Sequence, residues 1–97
     1  MGRRRKSRET ALQFLYQLDL ASNEDPAGAE AEFWARAGLD PETQSFAGEI
    51  VRGTKHHQVK IDDIISGFTE NWHIDRMSAV DRNLLRASVY ELLWHPD

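Results

Sequence analysis

The sequence predicts an all-α protein, a bundle of about five helices, and three observations carry that prediction. Apolar residues recur at i, i+3 and i+4 spacing in segment after segment. No alternating apolar–polar run of useful length occurs, so strands are not expected. The three prolines, Pro26, Pro41 and Pro96, stand only where breaks are expected, since a missing N–H and a fixed φ do least harm there. Ninety-seven residues suit one domain, and no internal repeat is visible.

Helix one is expected from about Ser7 to Ala21. Ala11, Leu15 and Leu18 share a face that Leu12, Phe14 and Tyr16 widen. A break follows from Asn23 to Pro26. Helix two, from about Ala27 to Ala37, is expected to bury Phe33 and Trp34, and Gly38 suits the left-handed position just past its end. Asp40, Pro41 and Glu42 open helix three as N-cap, first helical residue and first-turn acid. Its apolar stripe is Phe46, Ile50, Val51 and Thr54, and the pattern resumes at Ile61, Ile64, Ile65 and Phe68. The polar stretch Lys55-His56-His57-Gln58 lies between, which reads as two helices with a bend, one long helix being the alternative. Residues from Gly67 to Trp72 close the second of them.

The last helix has the clearest start. Ser78 and Asp81 form an S-x-x-D capping box ahead of an apolar run. Val80, Leu84, Ala87 and Ser88 make one stripe, and Leu85, Val89, Leu92 and Leu93 a second beside it. Such a helix is normally central, yet the chain stops at Pro96-Asp97 with nothing downstream to cover the second stripe. A few hundred Å² of uncovered apolar surface forgoes several kcal/mol at roughly 25 cal/mol per Å². The chain is therefore expected to form a dimer or higher oligomer, to receive a partner there, to be a fragment, or to fold only marginally alone.

Charge is divided unevenly. Arg3, Arg4, Arg5, Lys6 and Arg8 are five of the twelve Lys and Arg. The other seven face sixteen acidic residues, a net of −9 beside a +5 arm. Such a chain meets a polyanion through its tip rather than its overall charge. Arginine's planar fork binds phosphate and stacks on bases, which suits irregular or single-stranded RNA. The bland alternatives are a solvated tail and a targeting or membrane role. Arg8 falls on the first turn of helix one, where a cation is mildly unfavourable with the helix dipole, so its placement points to a use beyond helix stability. Residues 1–6 read as a basic arm and 7–97 as a single helical domain.

Other chemistry is sparse. The lack of cysteine excludes disulfides and thiolate zinc sites and is in keeping with a reducing cytoplasm. No apolar run is long enough for a membrane span, and Gln13, Gln17 and Asp19 interrupt any signal-like stretch. A transit peptide is the weaker reading of the amphipathic start. His56 and His57 point about 100° apart on a helix and cannot chelate as an i, i+4 pair would, so they read as a polar patch. Neither a nucleophile elbow nor a glycine-rich phosphate loop occurs, and no catalysis, metal or cofactor is expected. Tyr16 reads either as a rim-of-core residue or as a contact for a partner. Trp34 and Trp72 read as packing residues, while Trp94 is ambiguous.

Two stretches resemble a known family. Arg3-Arg4-Arg5-Lys6-Ser7-Arg8-Glu9 followed by Ala11-Leu12-Gln13-Phe14-Leu15-Tyr16-Gln17 is similar to the start of the bacterial NusB antitermination family. So is Trp72-His73-Ile74-Asp75-Arg76-Met77 with Val80-Asp81-Arg82-Asn83-Leu84-Leu85-Arg86-Ala87-Ser88-Val89-Tyr90-Glu91-Leu92-Leu93, a quite specific D-R-x-L-L-R-x-x-x-Y-E-L pattern. The resemblance implies two small helical subdomains, and about two further helices that this chain lacks at its C-terminus. It implies binding of single-stranded boxA-type RNA on nascent ribosomal transcripts, together with the ribosomal protein NusE, within the RNA polymerase antitermination complex. RNA contacts are then expected at Arg3, Arg4, Arg5, Lys6 and Arg8, and NusE contacts at Tyr16, Asp75 and Asp81. Arg82 and Arg86 are expected in structural ion pairs. Two alternatives stand beside it, the NusB-like targeting domain of a ribosomal RNA cytosine methyltransferase and a helical interaction module indifferent to RNA.

Overall fold

The computed structural model describes residues 2–21, 26–68 and 73–94 and, of Arg3 and Pro26, the backbone alone. The expected break at residues 23–25, Trp72, His95 and Pro96 lie outside the described residues. Five α-helices and one short 3-10 turn run in the order α1 Gly2–Leu20, α2 Pro26–Ala37, α3 Pro41–His56, α4 Gln58–Phe68, the turn Ile74–Arg76, and α5 Ala79–Trp94. No strand occurs among them.

Helix α1 starts at Gly2, five residues before the expected Ser7. Arginine and lysine are good helix formers, so nothing in the basic run opposes propagation toward the N-terminus. Ser7 and Thr10 then bind the run to the body. Ser7 is buried and its hydroxyl donates to the Thr43 carbonyl of α3 at 2.9 Å, while the Thr10 hydroxyl donates to the Lys6 carbonyl at 2.8 Å. Gly38 has φ of 64°, the left-handed geometry expected past α2. Asp40 holds the N-cap position of α3 with extended backbone and Pro41 next, although its side chain does not cap. The expected bend is found at His57, which separates α3 from α4. Ser78 Oγ accepts the Asp81 N–H at 3.1 Å, the N-cap half of the expected capping box.

The core has two parts. Ala11, Phe14 and Leu15 of α1 meet Trp34 of α2 and Phe46, Ala47, Ile50 and Val51 of α3. Phe14, Phe33 and Trp34 form an aromatic trio with centroids 4.8–5.9 Å apart. Each fully buried aromatic or leucine stabilises by about 1.5–3 kcal/mol, so this part carries most of the fold. The smaller part joins Ile61 and Ile65 of α4 to Tyr90 of α5. Tyr90 seats its ring against the bare backbone of Gly53, where a Cβ would collide with it. Thr54 is fully buried, and its hydroxyl finds no hydrogen-bond partner among the described residues.

Helix α5 departs from the expectation. The face it buries carries Asn83, Arg86 and Tyr90. Both leucine stripes lie largely in solvent: Val80 47%, Leu84 51%, Leu85 38%, Leu92 76% and Leu93 55% exposed. Only Ala87 and Val89 of those stripes are packed against a core cluster. A polar network occupies the inner face, so the apolar majority is turned outward.

Candidate functional site

Helices α1 and α5 lie side by side and antiparallel, as two pairings fix. Near the start of α1, Arg8 Nε donates to both Glu91 carboxylate oxygens of α5 at 2.9 and 3.1 Å. Near its end, Asp19 accepts Arg82 Nε and Asn83 Nδ2, each at 2.8 Å. All of the predicted site residues that the structure describes belong to this pair or to the turn leading into it.

The basic end comes first. Arg4 lays its guanidinium over the Phe46 ring at 3.8 Å from the centroid, and Arg8 stands 5.8 Å from the same ring. Arg5 pairs with Glu9 at 3.4 Å in full solvent, an interaction of little strength. Lys6 is exposed on the next face. The Arg3 side chain lies outside the described residues. Arg4, Arg5, Lys6 and Arg8 therefore all project from the N-terminal end of one helix.

The other end is built differently. Asp19 gathers Arg82, Asn83 and, at 3.7 Å, Arg86. Arg86 is 8% exposed and grips Asp62 of α4 through two bonds of 2.8 and 3.0 Å. Arg82 also donates to the carbonyls of Ile74 and Met77, tying the 3-10 turn to α5. Burial alone would raise the Asp19 carboxyl. The Arg82 and Asn83 hydrogen bonds and the Arg82 and Arg86 charges outweigh it and hold Asp19 below its ordinary value. Lys55 sits beside this network, lowered by burial and the Arg86 charge, with Asp19 and Asp62 pulling it back. The expected ion pairs of Arg82 and Arg86 are thus present, and they join α1, α4 and α5.

Tyr16, 37% exposed, lies one turn before Asp19 on α1. Asp81 is exposed on the first turn of α5, and Asp75 is exposed on the turn that Arg82 anchors. These three share the Asp19 end of the helix pair, away from the basic end. Between the two ends runs a shallow apolar groove lined by Leu12, Leu84 and Ala87, with Arg8 and Glu91 at one side.

The remaining candidates have structural roles. His57 stacks flat on Trp94 at 4.1 Å and 8°, so it is a packing residue, while His56 is exposed. No cluster of three potential metal ligands exists among the described residues, and no described helix is long and apolar enough to cross a membrane.

The family model of NusB matches residues 5–97. The chain belongs to the NusB family. It is 43% identical to the transcription antitermination protein NusB of Myxococcus xanthus, over all of this chain and 71% of that protein. It is 41% identical to that of Symbiobacterium thermophilum, over 97% of this chain and 66% of that one. T. maritima NusB superposes with a TM-score of 0.83 at 36% identity, covering 98% of this chain and 66% of that one. A chain from the crystal structure of a plectonemic RNA supercoil superposes with a TM-score of 0.89 at 31% identity, over 100% and 70%. The chain thus spans about two thirds of the length of these NusB proteins. Relatives named as antitermination proteins favour the antitermination reading over the methyltransferase and RNA-indifferent alternatives.

Sequence reasoning found the basic cluster and the two arginines of α5. It missed their acidic partners Glu91, Asp19 and Asp62. It also missed a polar stripe on α1, Lys6-Thr10-Gln13-Gln17, whose i, i+4, i+7, i+11 spacing was visible throughout.

Proposed function

We propose that this chain is a non-catalytic RNA-binding adaptor of transcription antitermination. The basic end of α1 grips single-stranded boxA-type RNA of nascent ribosomal transcripts through Arg3, Arg4, Arg5, Lys6 and Arg8. Tyr16, Asp75 and Asp81, at the opposite end of the α1–α5 pair, meet NusE, and the RNA–protein assembly joins the RNA polymerase antitermination complex in the cytoplasm. One observation carries this reading: five cations are mounted on a folded helix end, beside a body of net −9.

Two surfaces at opposite ends of one helix pair let the adaptor hold RNA and protein at once without competition. The exposed leucines of α5 are a third surface, open to a second copy of the chain or to a partner. Replacing Arg3, Arg4 and Arg5 together by Ala is the direct test. Binding to short single-stranded RNA is expected to fall steeply. The salt slope of log K is expected to drop by about 2, at roughly 0.7 for each phosphate no longer neutralised. Unchanged binding in that variant would remove the basic end from the account.

A further inference from the structure

Two grooves of about 300 Å³ flank the basic end of α1, and their linings differ in sign. The groove toward α3 is lined by Arg4, Ser7, Thr43, Ser45 and Phe46 with Glu42 and Glu49, so acid outnumbers base there. The groove toward α2 is lined by Lys6, Thr10, Gln13, Gln17, Phe33 and Arg36 with Ala37, and no acidic residue is among them. A strand of phosphates leaving the basic end meets less opposing charge in the second than in the first.

The second groove also has the chemistry to read bases. Lys6 and Arg36 stand on its two walls, one on each helix. Gln13 and Gln17 are exposed, and each amide offers both a donor and an acceptor, as a base edge requires. Phe33 is half-buried, its ring held by Phe14 at 4.8 Å and Trp34 at 5.2 Å, which makes a fixed apolar surface for a base face. The stripe from Lys6 to Gln17 runs roughly 16 Å at about 1.5 Å rise per residue, enough to follow an extended strand over more than one nucleotide. Arg36 makes only a long, fully exposed ion pair of 3.7 Å with Glu32, which phosphate can displace.

We infer that the α1–α2 groove is a base-reading subsite for single-stranded RNA, with Gln13 and Gln17 on base edges, Phe33 under a base and Arg36 on the backbone. The inference rests on the function proposed above and assigns the strand its direction out of the basic end.

The test compares a labelled oligouridylate with an abasic ribose-phosphate strand of equal length by fluorescence anisotropy. Gln13→Ala with Gln17→Ala is expected to weaken the oligouridylate about tenfold and leave the abasic strand unchanged. Arg36→Ala is expected to weaken both and lower the salt slope by about 0.7. Glu49→Gln, in the other groove, is expected to change neither appreciably. All of the substituted side chains are exposed, so the fold is retained, which thermal melting checks. If the glutamine and Arg36 variants bind like the parent while Arg4→Ala with Arg5→Ala does not, the groove is excluded and the basic end stands. If the parent binds neither strand, the proposed function falls and the groove with it.

Discussion

Arginines beside the two ends of α1 are held in very different ways. Beside its C-terminal end the arginines of α5 are committed to the fold: Arg86 is 8% exposed and held by two bonds to Asp62 of α4. At its N-terminal end Arg5 pairs with its exposed neighbour Glu9, and Arg8, although its Nε donates to both Glu91 oxygens, keeps a side chain 47% exposed. A buried charge whose partner is removed costs several kcal/mol, whereas an exposed pair contributes less than about one. The difference separates arginines locked into the fold from arginines left largely in water, at opposite ends of one helix pair. Cations that stabilise little are the ones able to exchange a weak partner for a phosphate.

Asp19→Ala tests the structural end and carries the largest expected effect. It leaves Arg82, Asn83 and Arg86 short of a shared acceptor, and stability is expected to fall by about 3 kcal/mol in urea denaturation. RNA affinity per folded molecule should stay the same. Acid probes the same residue without mutation. The Asp19 carboxyl is depressed in the fold, so the unfolded chain takes up that proton first. Its contribution is complete above the ordinary value of 3.8 and is lost as pH falls through the lower folded value. Asp19→Asn is expected to flatten the stability curve in that acid range, and a curve of unchanged shape would remove Asp19 from the acid response.

Gly53→Ala is an uncharged control on the packing of α3 against α5. The added methyl would strike the Tyr90 ring, and overpacking is expected to cost about 1–3 kcal/mol despite the better helix propensity of Ala. Thr54→Val works the other way. It replaces a buried hydroxyl without a partner by a methyl of similar size, and thermal melting is expected to show a gain of about 1 kcal/mol. The smallest stability effect is predicted at the recognition end. Arg5→Ala should change stability by less than about 0.5 kcal/mol, yet lower the salt slope of RNA binding by about 0.7. A large drop in stability there would erase the contrast between the ends.

Much of the fold was legible because local rules acted alone. Gly38, Pro41 and the Ser78–Asp81 cap each fixed a helix boundary through its own backbone chemistry. The start of α1 was misplaced because a basic run carries no stop signal either way, and that it packs on α3 shows only in the fold, in the Ser7–Thr43 bond and the Arg4 guanidinium over Phe46. The inner face of α5 was hidden for a different reason. Apolar stripes at 80–88 and 85–93 outnumber Asn83 and Arg86, yet those two have acidic or carbonyl partners, and pairing across 24 to 64 residues leaves no trace in periodicity. The basic cluster of the site was plain from charge alone. The groove beside it was not, since Arg36 joins Gln13 and Gln17 only through the packing of α2 on α1.

The dependence of RNA affinity on salt decides most directly whether the N-terminal cations do what their exposure suggests. Titrating short single-stranded RNA across a range of salt concentrations should give a log–log slope of roughly −3.5 from the five N-terminal cations at about 0.7 each, steepened to roughly −4.2 where Arg36 also meets the backbone. Binding that ignores ionic strength would contradict the account.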